Sequence, residues 1–398
     1  MNIILAVNSG STSLKFQLFD MPSERVIVSG QIEKIGLKNS VFTMKRNGEK
    51  LEKIEDISNH RDAVNALLKT LSNEGIIEDI SEIVGVGHRV VHGGEFYSKS
   101  VLIDEEVISN IDQLSKLAPL HNPVNLVGIL AFKEALPKAV QVAVFDTAFH
   151  QTMRPCTYLY PLPYEYYDKY KIRKYGFHGT SHFYVTRKVA ELMNKNVDTL
   201  NIISIHLGGG ASITAVKNGK SVNTSMGFTP LAGIMMGTRT GDVDPAILPF
   251  IMDEEDLSTS EVLDIFNHKS GMYGVSGISS DARDILEAAA NGNKRAILTL
   301  EMYTNRIAEV IGSYYIRLSH VDAIVFTGGI GENATTIRRD ILDQVKVPMN
   351  LKIDDKLNLE TMGTETKISL ATSASEIWVV PTDEELVIAR DTRKFLNK

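Results

Sequence analysis

The chain opens on an unbroken apolar run, Ile3 to Val7, passes through the polar stretch Asn8-Ser9-Gly10-Ser11-Thr12-Ser13, and then alternates through Leu14-Lys15-Phe16-Gln17-Leu18-Phe19. A continuous apolar run reads as a buried strand and alternation as a half-buried one, so the pattern predicts a hairpin with a polar turn. The same order returns half a chain later. Asn201-Ile202-Ile203-Ser204-Ile205 enters His206-Leu207-Gly208-Gly209-Gly210-Ala211-Ser212 and leaves through Ile213-Thr214-Ala215-Val216, with Asn8 matching His206 and Gly10 matching Gly208. A repeat of this length predicts a duplicated domain whose two hairpins are opposed across a cleft. A third pattern, the apolar run Ala323 to Thr327 followed by Gly328-Gly329-Ile330-Gly331-Glu332-Asn333, predicts a strand, a glycine turn and a helix.

Other elements follow from the same periodicities. Asn293 to Leu318 is amphipathic at helical spacing and predicts a long core helix. Pro123 opens a helix predicted over 124–136, with His121 just before it. Ile83 to His88 reads as a strand ending in glycine-spaced turn residues, which puts Arg89 on a loop, and Val142 to Phe145 reads as a strand delivering Asp146 at its end. Ile377 to Val380 predicts a further strand, after which Thr382 caps a terminal helix with Glu385 at its third position. No Pro- or Gly-rich linker divides the chain. The best boundary lies near Phe149 to Tyr164, where the sequence becomes rich in Pro and Tyr.

Composition narrows the class of protein. The 398 residues are enough for two domains with full cores, and 43% hydrophobic content suits a globular protein. No apolar run approaches the roughly 20 residues of a membrane span, and five apolar residues after Met1-Asn2 make no signal peptide, so the expected location is cytoplasmic with no membrane partner. A net charge of −7 argues against nucleic acid as a partner. One cysteine, Cys156, excludes an intrachain disulfide framework and a multi-cysteine metal site.

The polar segments suggest phosphate chemistry. A tight turn of small residues presents backbone N–H groups to an anion, Ser11 and Ser13 add hydroxyl donors, and Lys15 supplies a point charge. An ordinary serine-rich hairpin turn is the plain alternative. Phosphoryl transfer requires neutralised charge on three equatorial oxygens, which directs attention to Arg89 and to Arg239 in the small-residue loop Gly237-Thr238-Arg239-Thr240-Gly241. Each would also be unremarkable as a solvated surface charge. His178 and His182 stand four apart, a spacing that fits a metal pair, but no third nitrogen or sulfur ligand lies nearby in sequence. Gly329 to Ala334 fits the G-x-G-x-x-A of a nicotinamide dehydrogenase, yet it comes late, lacks a following strand ending in an acid, and leaves the Asn8 to Lys15 turn unexplained.

Taken together, the segments Asn8 to Lys15, His88 to Gly94, Phe145 to His150, Tyr175 to His182, His206 to Gly210, Met236 to Asp242, Gly328 to Asn333 and Pro381 to Glu385 resemble the acetate kinase family. The resemblance covers the whole chain. It implies an α/β fold of two duplicated actin-like, ribonuclease H-like domains with a cleft between them, one formed by 1–149 plus 383–398 and the other by 150–382. It implies reversible transfer of a phosphoryl group from ATP to acetate, giving acetyl phosphate and ADP, with Mg²⁺ (or Mn²⁺) and a homodimer formed through the second domain. Closure of the domains would exclude water from the transfer.

The same resemblance assigns roles to residues. Arg89 and Arg239 would hold the carboxylate and the moving phosphoryl group, as a planar fork suits. Asp146 would be an essential acid, either in acid/base work or in organising the arginines; a carboxylate substrate is already an anionic nucleophile, which favours the second role. His178 would donate to the phosphoryl group, His121 would lie near it, and His182 would be structural. Asn8 and Glu384 would lie in the Mg²⁺ sphere. The nucleotide would meet Lys15, His206, Leu207, Gly208, Gly209, Gly210, Asp281, Ala282, Arg283, Gly329, Ile330, Gly331, Glu332 and Asn333. Val91, Leu120, Phe177 and Pro230 would form an apolar pocket for the acyl methyl group, in which Val91 favours acetate. Gly209, Ala282 and Asp383 depart from residues common in the family, asparagine, phenylalanine and asparagine respectively. The alternatives are a propionate or butyrate kinase of the same family, or a non-catalytic nucleotide-binding relative.

Overall fold

The first apolar run is buried on both sides. In the computed structural model, which describes residues 2–396, β1 (Asn2–Gly10) is the centre of an eight-stranded sheet. Ile3, Leu5 and Val7 pack with the helices His60–Asn73 and Asn122–Ala135, while Ile4 and Ala6 pack with the terminal helix Glu384–Arg393. A strand covered on both faces has no polar face to expose, which is why the run does not alternate. β2 (Ser13–Met21), β3 (Arg25–Glu33), β4 (Ser40–Arg46) and β5 (Glu49–Glu55) extend the sheet antiparallel on one side. On the other side β6 (Ile83–Val90) and β8 (Val140–Phe145) run parallel, and the two-residue β7 (Val101–Leu102) closes the edge. Residues 2–148 with 383–396 form this first compact unit.

The second unit, Phe149–Thr382, repeats the plan. β9 (Asn201–Leu207), β10 (Ala211–Lys217) and β11 (Lys220–Thr224) are antiparallel, and β12 (Ala323–Thr327) and β14 (Glu376–Val379) run parallel beyond β9, with β13 (Thr366–Lys367) at the edge. In both sheets the order is third, second, first, then two parallel strands. The duplication read from the two hairpins is therefore present as matched sheet topology.

Four local expectations are corrected. Arg89 lies within β6, paired opposite Val144, and is not on a loop. The glycines before it are not turn residues: a Cβ at Gly87 would come within 2.3 Å of Thr392 Oγ1 and 2.4 Å of Ile388 Cγ2, so their absent side chains let the terminal helix pack against the strand. Gly328 opens a helix directly, Gly328–Asn333, without an intervening turn. The terminal helix is capped by Asp383, whose Oδ1 accepts from the Leu386 N–H at 2.9 Å, and not by Thr382. The long helix is Lys294–Leu318 with Asn293 as its cap, as its periodicity predicts. Among the described residues no helix is long and apolar enough to cross a membrane.

Candidate active site

The first unit gathers charge. Parallel pairing of β6 and β8 brings Arg89 beside Asp146, and the Asp146 N–H donates to the Val90 carbonyl at 3.0 Å. The guanidinium grips the carboxylate with both edges: Nε lies 3.0 Å from Oδ1 and Nη2 lies 2.5 Å from Oδ2. Asp146 is fully buried, while Arg89 keeps about a quarter of its side chain exposed at 23%. Burial works against the arginine charge, but the charge and hydrogen bonds of Asp146, helped by Glu384 and Glu385, outweigh it and raise the Arg89 pKa.

Glu384 stands in the first turn of the terminal helix, where the dipole favours an acid. Burial nevertheless pushes its carboxyl up to about 7; Arg89 and Lys15 pull it down, and Asp146 and Glu385 push it further up. A carboxylate held against its preference for charge is one that a hard cation would relieve. Glu384 with the amide oxygen of Asn8, its fellow candidate, offers few protein ligands, which suits an ion that keeps several waters. Asn8 sits opposite Lys15 in the hairpin, whose turn shrinks to Ser11 and Thr12; Lys15 and Ser11 are exposed and Ser13 is half-buried.

The helix Asn122–Ala135 fixes the chain after β6. Asn125 accepts from the Val91 N–H at 3.1 Å and donates to the Ser9 carbonyl at 2.9 Å, and Asn122 brackets His92 through both its N–H and its carbonyl. Val91 is thereby held at 5% exposure, whereas Leu120 is 59% exposed. His121 occupies the cap position of that helix without a side-chain capping bond.

The second unit gathers histidines and hydroxyls. His178, with φ of 53° in the left-handed region, precedes the helix Gly179–Leu192, and its ring stacks on that of His206 at 4.4 Å between centroids. His178 Nδ1 lies 2.9 Å from Ser212 Oγ, and His206 Nδ1 lies 2.8 Å from Ser181 Oγ. The turn Gly208 to Gly210 closes the hairpin of β9 and β10, and the Gly209 carbonyl accepts from the Gly237 N–H at 3.2 Å, which ties the loop bearing Arg239 to this turn. Arg239 Nη1 donates to the Pro230 carbonyl at 3.3 Å. A Cβ built on Gly210 would lie 3.3 Å from His178 Nε2 and 3.5 Å from Arg239 Nη1, so both donors border the space above that glycine. Phe177 is buried and its carbonyl meets His150 Nε2 at 2.9 Å.

The remaining nucleotide candidates have structural partners of their own. Asp281 caps the helix Ala282–Ala290 and pairs with the exposed Arg283, whose hydrogen bonds draw its carboxyl down to about 2. Ala282 is buried. Glu332 turns back on its own helix, where Oε1 accepts from the Gly328 N–H at 2.8 Å, and the same oxygen accepts from the distant Thr382 N–H at 3.2 Å. Asn333 Nδ2 donates to the Gly329 carbonyl at 2.9 Å. Sequence reasoning missed Ser181, Ser204, Ser212, Asn122 and Asn125, which orient the candidates from beneath. It also missed Arg338, fully buried with all five N–H donors spent on Asn358 and the carbonyls of Gly331, Glu332, Asn358 and Thr361.

Comparison with known proteins gives the family. The chain matches the Acetokinase family over residues 3–390. It is 56% identical over 391 residues to an acetate kinase of Bacillus velezensis, covering 98% of each chain. The crystal structure of an acetate kinase from Porphyromonas gingivalis superposes with a TM-score of 0.95 at 45% identity, covering 100% of both chains. That of a propionate kinase from Francisella tularensis superposes at 0.94 with 42% identity, covering 99% of this chain and 100% of the other.

The raised Glu384 pKa gives a pH test. A carboxyl raised above its unfolded value favours the protonated form, so its contribution to stability is largest at low pH and falls as pH rises from the ordinary carboxylate range through about 7. In metal-free buffer at pH 8, Glu384→Gln should be more stable than wild type by on the order of 1 to 3 kcal/mol and unfold at a higher temperature, and the gap should close towards pH 5. Calorimetry showing no gain at pH 8 would contradict the assignment.

Proposed function

The chain belongs to the acetokinase family, and from that premise we propose that it catalyses the reversible reaction of acetate with ATP to give acetyl phosphate and ADP. It is a phosphotransferase whose acceptor is a carboxyl group. A carboxylate oxygen attacks the γ-phosphorus in line, the bond from that phosphorus to the β–γ bridging oxygen breaks, and ADP leaves with the bond's electron pair. No proton needs to be removed, because the acceptor is ionised at neutral pH.

The observation that carries the reading is the two-edged clamp of Arg89 on buried Asp146. It supports Asp146 as a positioning group that holds a planar cationic fork for an anionic substrate or phosphoryl group. Arg239, His178 and His121 add donors suited to charge spread over the equatorial phosphoryl oxygens. Lys15, Ser11, Ser13 and the amides of Gly208 to Gly210 suit the nucleotide phosphates, with His206, Leu207, Asp281 to Arg283 and Gly329 to Asn333 as the further nucleotide contacts. Asn8 and Glu384 would hold Mg²⁺, largely through water; when bound, the ion neutralises phosphate charge.

Val91, Phe177, Pro230 and Leu120 are assigned to the methyl end of the acid. The likeness to a propionate kinase keeps the longer acid in view. One methylene is worth about 1 to 3 kcal/mol in an apolar pocket, so acetate should lead propionate by a limited margin. We also propose a homodimer through the second unit, where Phe250, Tyr273, Leu298 and Met302 are exposed apolar side chains that a second copy would cover. Sedimentation showing only a 44.0 kDa species would contradict it.

The direct test is Mg²⁺-dependent ADP formation with formate, acetate, propionate and butyrate and without acid. Turnover should be highest with acetate; preference for a longer acid would overturn the substrate assignment, and turnover independent of any acid would overturn the reaction. Arg89→Ala and Arg239→Ala should each lose about 2.7 to 4 kcal/mol of transition-state stabilisation with the fold retained by circular dichroism. Near-normal turnover in both would contradict their roles.

A further inference from the structure

Beneath His178 runs a row of buried polar side chains that the phosphoryl-transfer reading does not use. His178 Nδ1 lies 2.9 Å from Ser212 Oγ, Ser212 Oγ lies 2.8 Å from His182 Nε2, and His182 Nδ1 lies 2.8 Å from Ser204 Oγ. Ser212, His182 and Ser204 are fully buried. Ser204 and Ser212 come from the neighbouring strands β9 and β10, and His182 comes from the helix that His178 opens.

Such a row has few allowed proton arrangements. A hydroxyl between two imidazoles that donates to one accepts from the other, and accepting from both would leave the O–H of fully buried Ser212 without an acceptor. Burial pushes His182 well below the ordinary histidine range, with His150 and His206 adding to the effect, so that ring is neutral and carries one proton. The protons must then all point one way. In one direction Ser204 donates to His182 Nδ1, His182 Nε2–H donates to Ser212, and Ser212 donates to His178 Nδ1. In the other, His178 Nδ1–H donates to Ser212, Ser212 to His182 Nε2, and His182 Nδ1–H to Ser204.

The buried Ser204 end of the row chooses between them, and the consequence falls on His178 Nε2. This nitrogen borders the space above Gly210 together with Arg239 Nη1. In the second direction Ser204 accepts from His182, and its own buried O–H, whose one side-chain partner among the described residues is His182 Nδ1, is left without an acceptor. The first direction leaves His178 neutral with its proton on Nε2, aimed where an anion would sit. We propose that Ser204, His182 and Ser212 are positioning residues that hold His178 in the neutral Nε2–H tautomer, making it an uncharged hydrogen-bond donor beside Arg239. The role as donor to the phosphoryl group rests on the phosphoryl-transfer reading above; the tautomer does not.

The test is nitrogen-15 NMR of the full chain labelled in histidine, at neutral pH, with the His178 signals assigned by their loss in His178→Gln. Wild type should show an unprotonated, pyridine-type Nδ1 and a protonated, pyrrole-type Nε2 on His178. A proton on Nδ1, alone or with Nε2, would overturn the proposal. In Ser212→Ala the His178 signals should move towards tautomer averaging, and kcat should fall about tenfold or more while the KM values for acetate and ATP change less than about twofold. Ser212→Thr, which keeps the hydroxyl, should recover most of kcat. An unchanged kcat in Ser212→Ala, or equal losses in the Ala and Thr variants, would show packing alone and overturn the relay. Should Ser212→Ala fail to fold, the wild-type spectrum decides. Absence of acid-dependent turnover in wild type would instead overturn the functional reading while the spectrum still reports the tautomer.

Discussion

The buried pairing of Arg89 with Asp146 is the constraint around which the first unit is arranged. A carboxylate with no solvent exposure carries a desolvation cost that only a close, well-oriented cation offsets, and removing either partner would leave the other stranded. The parallel register of β6 and β8 sets the two side chains at the right height, and the terminal helix can lie close against β6 because Gly85 and Gly87 have no side chains to obstruct it. That close approach is what brings Glu384 into the field of Arg89 and Asp146. One ion pair thus links strand pairing, helix packing and the charge state of a candidate metal-sphere residue.

The second unit uses the same sheet plan with different chemistry. Where the first hairpin presents Asn8, Ser13 and Lys15, the second presents His206 and Ser212 above a three-glycine turn, and its histidines are paired to serine hydroxyls more than to charges. Arg239 supplies the cation there, on a loop tied by backbone hydrogen bonds to the glycine turn. A duplicated fold thereby carries a buried ion pair on one copy and, beside a single arginine, histidine–serine pairs on the other. The physical need is the same in both: donors fixed before the ligand arrives cost no reorganisation when charge develops.

Much of the fold was legible because burial leaves a direct mark on hydrophobic spacing. The two hairpins, the long helix ending at Leu318 and the strand leading to Asp146 each follow from apolar periodicity and a polar or glycine break. What failed depended on partners distant in sequence. Gly85 and Gly87 looked like turn residues because the helix they admit, with Ile388 and Thr392, begins about 300 residues later. Thr382 and Asp383 were equally suited to cap the last helix; the carboxylate took the Leu386 N–H, while the Thr382 N–H went to Glu332. Glu332 itself looked available to a ligand, yet its carboxylate covers the first amide of its own helix. The serines beneath the histidines gave no signal, since a small hydroxyl inside an apolar strand matters only through what faces it. The roles of individual site residues came from family resemblance, and the geometry adds which hydrogen-bond partners each side chain has.

The claim that Asp146 acts through Arg89, and not as a base, is tested most directly by a double-mutant cycle on kcat. Arg89→Ala, Asp146→Asn and the double variant would be measured under saturating acetate and ATP. The account predicts strong non-additivity: once Arg89 is gone, losing the Asp146 charge costs little more. Losses in the double variant equal to the sum of the two single losses, in free energy, would mean that Asp146 works independently of the arginine and would contradict the account.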